Sequence, residues 1–187
     1  LRLVGSEMCI RDSAKVGIIF DWENYWALEY TSGPNRDLRY VDQIEQMYNY
    51  FYNKNIAVDM IPIDADFSKY DLVAAPVLYM VKDGVAESLE AYVQAGGTLI
   101  TTYMSGIVGQ SDNVHLGGYP GPLRKMAGVW VEEIDALAPE QRNKIRFADG
   151  TEEECRLVCD LMHLEGAEEI AQYESDFYAG MTAVAKN

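Results

Sequence analysis

Basic residues are scarce in this chain. Its 187 residues include 15 Lys and Arg against 30 Asp and Glu, for a formal net charge of −15. Surfaces that bind nucleic acid or anionic lipid need clustered Lys and Arg. The charge balance therefore argues against a nucleic-acid partner and against a membrane partner.

Long apolar runs and a set of paired cysteines are also missing from the sequence. The longest apolar stretch, Leu72–Met80, is interrupted by Pro76 and is far shorter than the roughly 20 residues that span a bilayer. Three cysteines do not make a disulfide framework. The length suits one domain with a real core, but it is too short for a complete (β/α)₈ barrel, which needs about 250 residues.

The two ends of the chain differ from its middle. The first 13 residues, LRLVGSEMCIRDS, lack the basic and apolar regions of a secretory signal, and they resemble the translated read-through of a sequencing adapter. We interpret residues 1–13 as a non-native or disordered leader and residues 14–187 as one domain. Residues 182–187 have the pattern of a strand at its beginning. We therefore expect a fragment of a longer protein whose native N-terminus is missing, so the lack of a signal is uninformative about location. Separately, we expect a cytoplasmic location.

Apolar runs alternate with helical periodicity over the first half. The predicted order is a strand at Val16–Phe20, a helix at Leu38–Asn53, strands at Ala57–Ile63 and Leu72–Leu78, a helix at Gly84–Ala95 and a strand at Thr98–Tyr103. Continuous apolar strands separated by helices indicate a parallel sheet with both faces covered. The fold class predicted from this order is α/β with a mostly parallel sheet.

The second half has a different pattern. Met104–Gly128 carries six Gly and two Pro, which predicts a long ordered loop. Loops of that length inside a domain usually carry a function or an interface. Beyond it, Ala148-Asp149-Gly150 predicts a hairpin between Asn143–Phe147 and Thr151–Cys159, and Ile170–Tyr173 predicts one more strand.

Aromatic and acidic side chains follow the first predicted strand. In a parallel sheet, sites form beyond the carboxyl ends of the strands. The segments expected to meet there are 21–26, 64–66, 76–80 and 103–106. Trp22, Tyr25 and Trp26 would then lie beside Glu23. We call residues 22–26 the aromatic lip. It suits a protein interface, where Trp and Tyr are enriched, or a sugar that stacks on the rings. We favour the interface and keep direct ligand contact open.

Catalytic and metal-binding patterns are weak. Glu23 with Asp64 or Asp66 could be proposed as a glycosidase carboxylate pair, but 30 acids supply such pairs by chance. No G-x-S-x-G elbow and no G-x-G-x-x-G loop is present. The Cys155-x₃-Cys159-x₃-His163 spacing does not supply the two ligand pairs of a zinc site. We therefore predict no catalytic residue, no metal and no cofactor, and we expect both cysteines to be small buried groups.

Several segments resemble the β-galactosidases of glycoside hydrolase family 42. The resemblance covers nearly all of residues 14–187, and the run HLGGYPGPLR is its most specific part. The matching segments are Phe20–Tyr30, Asp37–Tyr40, Gly97–Leu99, Ser105–Val108, Val114–Arg124, Arg146–Gly150, Cys159–Gly166 and Asp176–Gly180. They correspond to the family's middle, trimerisation domain. The resemblance implies a flavodoxin-like three-layer sandwich related to class I glutamine amidotransferases, followed by a C-terminal β-hairpin and strand region.

The resemblance also implies a role. The family's catalytic glutamates lie in an N-terminal barrel, so no residue of this chain inherits them. The parent protein would hydrolyse terminal β-D-galactosides with retention. This segment would hold a homotrimer together beside its own barrel. Because a ring of three needs two different patches that meet, our interface or active-site-lip candidates come from the aromatic residues after the first strand and from the long loop: Trp22, Glu23, Tyr25, Trp26, His115, Tyr119 and Arg124. Gly109 departs from the family, where an acidic residue commonly stands. The alternative function is a non-catalytic sugar-binding α/β module that uses the aromatic lip.

Overall fold

The structure is a computed structural model that describes residues 14–30 and 33–187. The leader predicted at residues 1–13 lies outside these ranges. The described residues form a mixed α/β fold with two sheets, a parallel sheet of four strands and an antiparallel sheet of six. The expectation of a mostly parallel sheet therefore holds only for the first half of the domain.

The parallel sheet follows the predicted strands. Its order is β2-β1-β3-β4, and Val16 lies opposite both Val58 and Leu72. All four residues of β1 are buried because both faces of the sheet are covered. The strands are β1 (Val16–Ile19), β2 (Val58–Ile61), β3 (Leu72–Ala75) and β4 (Thr98–Thr101).

Helices cover both faces of this sheet. They are α1 (Trp22–Tyr30), α2 (Tyr40–Tyr52) and α3 (Val85–Gln94). On one face Leu28 of α1 and Ile44 of α2 share a core with Ile18. On the other face Leu89 of α3 packs in a core with Val73. The two predicted helices are confirmed as α2 and α3, because each buries one side at helical spacing.

Helix α1 corrects the sequence analysis, which predicted no helix between Val16–Phe20 and Leu38–Asn53. Asp21 caps this helix, since its Oδ2 accepts a hydrogen bond of 3.0 Å from the Asn24 N–H. The helix buries only Asn24, Ala27 and Leu28. Because α1 buries so few residues, its sequence has little apolar periodicity. The capping residue Asp21 was the only local signal in the sequence that a helix starts here.

The antiparallel sheet has the order β5-β8-β10-β9-β6-β7. The predicted hairpin is confirmed as β6 paired with β7, and the predicted strand near residue 170 is confirmed within β9. Cys159 lies on β8, outside the hairpin in which it was expected. The bounds are β5 (Val129–Ala136), β6 (Asn143–Phe147), β7 (Glu152–Cys155), β8 (Val158–Leu164), β9 (Glu168–Tyr173) and β10 (Thr182–Lys186).

The two sheets share contacts through β8. Val158 packs in the same core as Ile18 of the parallel sheet. Beside it, the Met104 N–H donates a hydrogen bond of 3.1 Å to Asp160 Oδ2. The opposite side of β8 places Cys159 and Leu161 in a separate small core. Strand β8 therefore joins the two halves of the domain.

Candidate functional site

Asn24 fastens α1 to the carboxyl edge of the parallel sheet. Its side chain is fully buried, its Nδ2 donates to the Val77 carbonyl at 3.0 Å, and its Oδ1 accepts from the Met80 N–H at 2.7 Å. Val77 has a φ of 47°, an unusual conformation for a β-branched residue. The amide of Asn24 thus holds a strained turn that follows β3.

The turn after β4 joins the same edge. Thr102 Oγ1 accepts a hydrogen bond of 2.8 Å from the Val77 N–H, and Ser105 Oγ accepts one of 3.2 Å from the Leu78 N–H. Of the four segments that were expected to meet, 21–26, 76–80 and 103–106 are therefore joined by hydrogen bonds.

The fourth segment, 64–66, makes a local contact instead. Asp66 Oδ1 accepts a hydrogen bond from the Ser68 N–H and caps the short 3₁₀ helix Phe67–Lys69. That carboxylate serves its own turn.

Lys82 forms salt bridges with both carboxylates at the start of α1, those of Asp21 and Glu23. Its Nζ lies 2.8 Å from Asp21 Oδ1 and 2.5 Å from Glu23 Oε2. Burial would lower the pKa of Lys82, but the hydrogen bonds and charges of Asp21 and Glu23 outweigh burial and raise it. Glu23 is therefore a salt-bridge partner of a lysine that the sequence analysis missed.

The rings of the lip point in two directions. Trp22 and Trp26 are 60% and 47% exposed, and their ring centroids lie 6.3 Å apart. Tyr30 continues this row one helical turn further on and is exposed as well. Tyr25 instead packs inward against Tyr40, with 6.3 Å between centroids. Helix α1 therefore presents an aromatic strip, Trp22-Trp26-Tyr30, to solvent.

The remaining candidates lie in the glycine-rich loop, whose last part contains the 3₁₀ helix Gly121–Leu123 and a short α4 (Arg124–Ala127). The two ends of the segment 106–121 lie against each other. Gly106 has a φ of 67°, and a Cβ added there would lie 2.0 Å from the Pro120 carbonyl oxygen. This close approach of the two ends is the architecture of an Ω-loop.

His115 packs inside this Ω-loop. Its N–H donates to the Ile107 carbonyl at 3.0 Å, and a Cβ added at Gly121 would lie 2.8 Å from its ring. Its Nε2 is buried without a hydrogen-bond partner in the part of the chain that the structure describes. At Gly109, the position that departs from the resembled family, an added Cβ would lie 3.3 Å from the ring's Cε1. The His115 ring therefore faces bare backbone at Gly109.

Arg124 and Tyr119 fasten the loop to the antiparallel sheet. The Arg124 guanidinium forms two hydrogen bonds with Glu165, of 2.6 and 2.5 Å, and lies 5.5 Å from the centre of the Trp130 ring. The Tyr119 carbonyl accepts from the Val131 N–H at 2.9 Å. The seven candidates therefore fall into two groups, four residues on α1 and three in the loop.

Cys155, Cys159 and His163 have structural roles. Cys159 is buried, Cys155 is half-buried, and both are free thiols. His163 Nε2 lies 2.7 Å from Glu132 Oε2, and its ring stacks on Trp130. Across residues 14–30 and 33–187, no group of three or more His, Cys, Asp and Glu side chains could hold a metal ion. The helices within these ranges are also too short or too polar to cross a membrane.

Comparison with known proteins supplies the context for this geometry. Residues 14–187 match the family described as the β-galactosidase trimerisation domain. The chain is 51% identical over 177 residues to β-galactosidase LacZ of Lactobacillus acidophilus and 52% identical over 182 residues to β-galactosidase BgaA of a Planococcus species. These alignments cover 95% of this chain in each case, and 26% and 27% of the relatives.

A solved structure gives the same picture. The crystal structure of a β-galactosidase from Bacillus circulans sp. alkalophilus matches with a TM-score of 0.92 at 47% identity, over 93% of this chain and 26% of that one. The chain thus spans about a quarter of the length of the proteins that it matches.

Proposed function

The chain belongs to the trimerisation-domain family of the glycoside hydrolase family 42 β-galactosidases, and from this membership we propose that it holds three enzyme subunits together. The observation that carries the proposal is the family match over residues 14–187. We take these residues as the domain unit. In the proposed parent protein, a catalytic barrel outside this segment hydrolyses terminal β-D-galactosides with retention, and this segment alone is inactive.

We also propose that the parallel half is flavodoxin-like and related to class I glutamine amidotransferases. The sheet order β2-β1-β3-β4 with helices on both faces supports this. The turn after β4 offers a second argument, because Met104, three residues beyond the end of this parallel strand, has a φ of 57°. A nucleophile elbow has a similarly strained turn. Here the position carries a buried thioether, which cannot supply an acyl-transfer nucleophile.

The two groups of candidate residues suit different contacts. A ring of three needs a heterologous interface, in which two different patches meet. We propose that the aromatic strip on α1 packs against a catalytic barrel, its own or a neighbour's, and helps to close the active site without taking part in chemistry. The exposure of Trp22 and Trp26 supports this, since such rings are the usual anchors of interfaces. We propose that the loop residues His115, Tyr119 and Arg124 shape a subunit contact.

The proposed assembly is tested by sedimentation. Analytical ultracentrifugation of this chain in the micromolar range should give three times the 21.0 kDa mass of one copy. In the full-length enzyme, Trp22→Ala and Trp26→Ala should change the oligomer mass or the KM for a galactoside, whereas the exposed Phe177→Ala should change neither. A monomeric chain would contradict the assembly role, and unchanged values in both Trp variants would contradict the role of the strip.

A sugar-binding module remains the second candidate function, because Trp22 and Trp26 are two exposed rings inclined by 36° beside a carboxylate. Calorimetric titration of the chain with galactose and lactose separates the two functions. An assembly domain should give no binding heat, whereas binding that disappears in Trp22→Ala would favour the module. We propose the cytoplasm as the location, since three cysteines in 187 residues do not make the disulfide framework that is common in secreted domains.

A further inference from the structure

The Ω-loop displays an apolar tip on a firm base. Leu116 is 97% exposed and Val114 is more than half exposed. The base is held by the contact of Gly106 with Pro120 and by the packed His115 ring. An apolar side chain on a rigid loop binds with little further loss of conformational entropy. The loop therefore has the properties of an interface anchor.

The loop is also nearly uncharged. Among residues 104–121 only Asp112 is charged when His115 is neutral, in a chain whose formal charge is −15. Two copies of so acidic a chain repel each other, so they approach best through surfaces with few charges. Sparse charge therefore favours a second copy of this chain as the partner of the tip.

A groove beside α2 has matching properties. It lies between α2 and the carboxyl ends of β3 and β4 and has a volume of about 290 Å³. Met47, Tyr50, Pro76 and Tyr103 supply its apolar walls, and every residue that lines it is uncharged. The adjoining surface of the same helix, around Asp42 and Glu45, is acidic. The groove is thus a neutral, apolar recess in an acidic molecule.

We propose that Leu116 at the tip of one copy enters the α2 groove of the next copy. The tip and the groove are different patches, so the contact is head-to-tail, as a ring of three requires. This inference rests on the proposed function and adds to it the two surfaces that meet. The aromatic strip on α1 takes no part in this contact and stays available to another domain.

Two variants test the contact, each with a matched control. Leu116→Asp places a charge on the tip, and Tyr50→Glu places one in the groove, where Tyr50 is 58% exposed. Phe177→Asp and Tyr52→Glu are the controls, since both residues are exposed and Tyr52 lies on α2 outside the groove. Each test variant should raise the concentration at half-assembly at least about tenfold, and the controls should leave it unchanged. Circular dichroism checks that all four variants are folded.

Mixing the two test variants examines the head-to-tail geometry. The Leu116→Asp copy keeps an intact groove, and the Tyr50→Glu copy keeps an intact tip, so a mixture retains one good contact and should form 1:1 dimers that cannot close a ring. A mixture that stays monomeric would overturn the proposal, as would a test variant that half-assembles at the same concentration as the unaltered chain. If the contact between the tip and the groove is overturned while the unaltered chain is a trimer, the assembly role still stands. If the unaltered chain is itself monomeric, the assembly role and the tip-to-groove contact both fail.

Discussion

Asp160 places a carboxyl group between the two sheets. Its Oδ2 accepts a hydrogen bond from the Met104 N–H, and its Oδ1 is buried without a partner among the described residues. The Tyr173 hydroxyl donates a hydrogen bond of 3.1 Å to the Asp160 backbone carbonyl and not to the carboxyl group. Burial raises the pKa of Asp160 from 3.8 to about 6, although the hydrogen bond from Met104 opposes the shift.

Asp160 should therefore make the stability of the domain depend on pH. A carboxyl group with a raised pKa in the folded state contributes its full stability below its unfolded pKa, near 4, and loses it as the pH rises through about 6. Asp160→Asn does not titrate. Its free energy of unfolding should rise relative to that of the unaltered chain by up to about 3 kcal/mol between pH 4 and pH 7.5. Urea titrations at both pH values measure this difference.

Asp149→Asn is the matched control for this experiment. The Asp149 carboxylate accepts a hydrogen bond from the Thr151 N–H, which lowers its pKa. The contribution of Asp149 is therefore present at neutral pH and lost as the pH falls, which is the opposite sign. A difference between Asp160→Asn and the unaltered chain that is the same at pH 4 and pH 7.5 would contradict the assignment.

The Ω-loop, residues 106–121, bears the proposed contact between subunits. Its shape depends on the close approach of Gly106 to Pro120 rather than on an apolar core of its own. Gly117 also has a positive φ, of 100°, but a Cβ there would meet no atom within 4 Å. A positive φ strains alanine at both positions, so Gly117→Ala shows what backbone strain does without a steric contact.

Gly106→Ala should lower the free energy of unfolding by about 2 kcal/mol more than Gly117→Ala, because the new methyl group displaces the backbone at Pro120. Thermal unfolding measures the difference. Amide exchange at Ile107 and Val108 should accelerate only in the Gly106 variant, since their N–H groups bond to Tyr79 across the base of the loop. Equal losses in both variants would show that the base of the loop is not tightly packed.

Other elements show which patterns a sequence reveals. Strand β1 and helix α3 were predictable because burial on both faces, or on one side of a helix, leaves a regular apolar period. Strand β5 was missed because a bulge between Val131 and Glu133 breaks its alternation. Strand β8 was missed because it changes from four buried residues to an exposed end at His163 and Leu164. Irregular burial conceals a strand even when its pairing is extensive.

At the scale of the whole molecule, charge controls association. The part from Glu132 to Asn187 holds 14 acids and 5 bases, a net −9, and 11 of these acids are exposed. A trimer brings three such surfaces together. The acids should lie on outward surfaces of the assembly, because a contact between them without basic partners would be strongly unfavourable.

Salt should therefore strengthen the trimer. Raising the ionic strength from about 0.01 M to 0.3 M shortens the Debye length from about 30 Å to below 10 Å and screens the repulsion between subunits. Sedimentation equilibrium should show half-assembly at a several-fold lower subunit concentration in the higher salt. At those same concentrations the folded Leu116→Asp variant should remain dissociated in both buffers. Assembly that weakens with salt would instead indicate a contact built on opposite charges.

The sequence alone determined the α/β order of the first half, the hairpin at Ala148–Gly150 and the likeness to one family, because these depend on local periods, turn residues and contiguous motifs. Only the tertiary structure decided that Lys82 neutralises Glu23, that Asn24 fastens α1 to the turn after β3, and that Asp160 lies buried between the sheets. The partners in these contacts are separated by more than 50 residues. Such contacts depend on how the two sheets pack, and no local pattern records that.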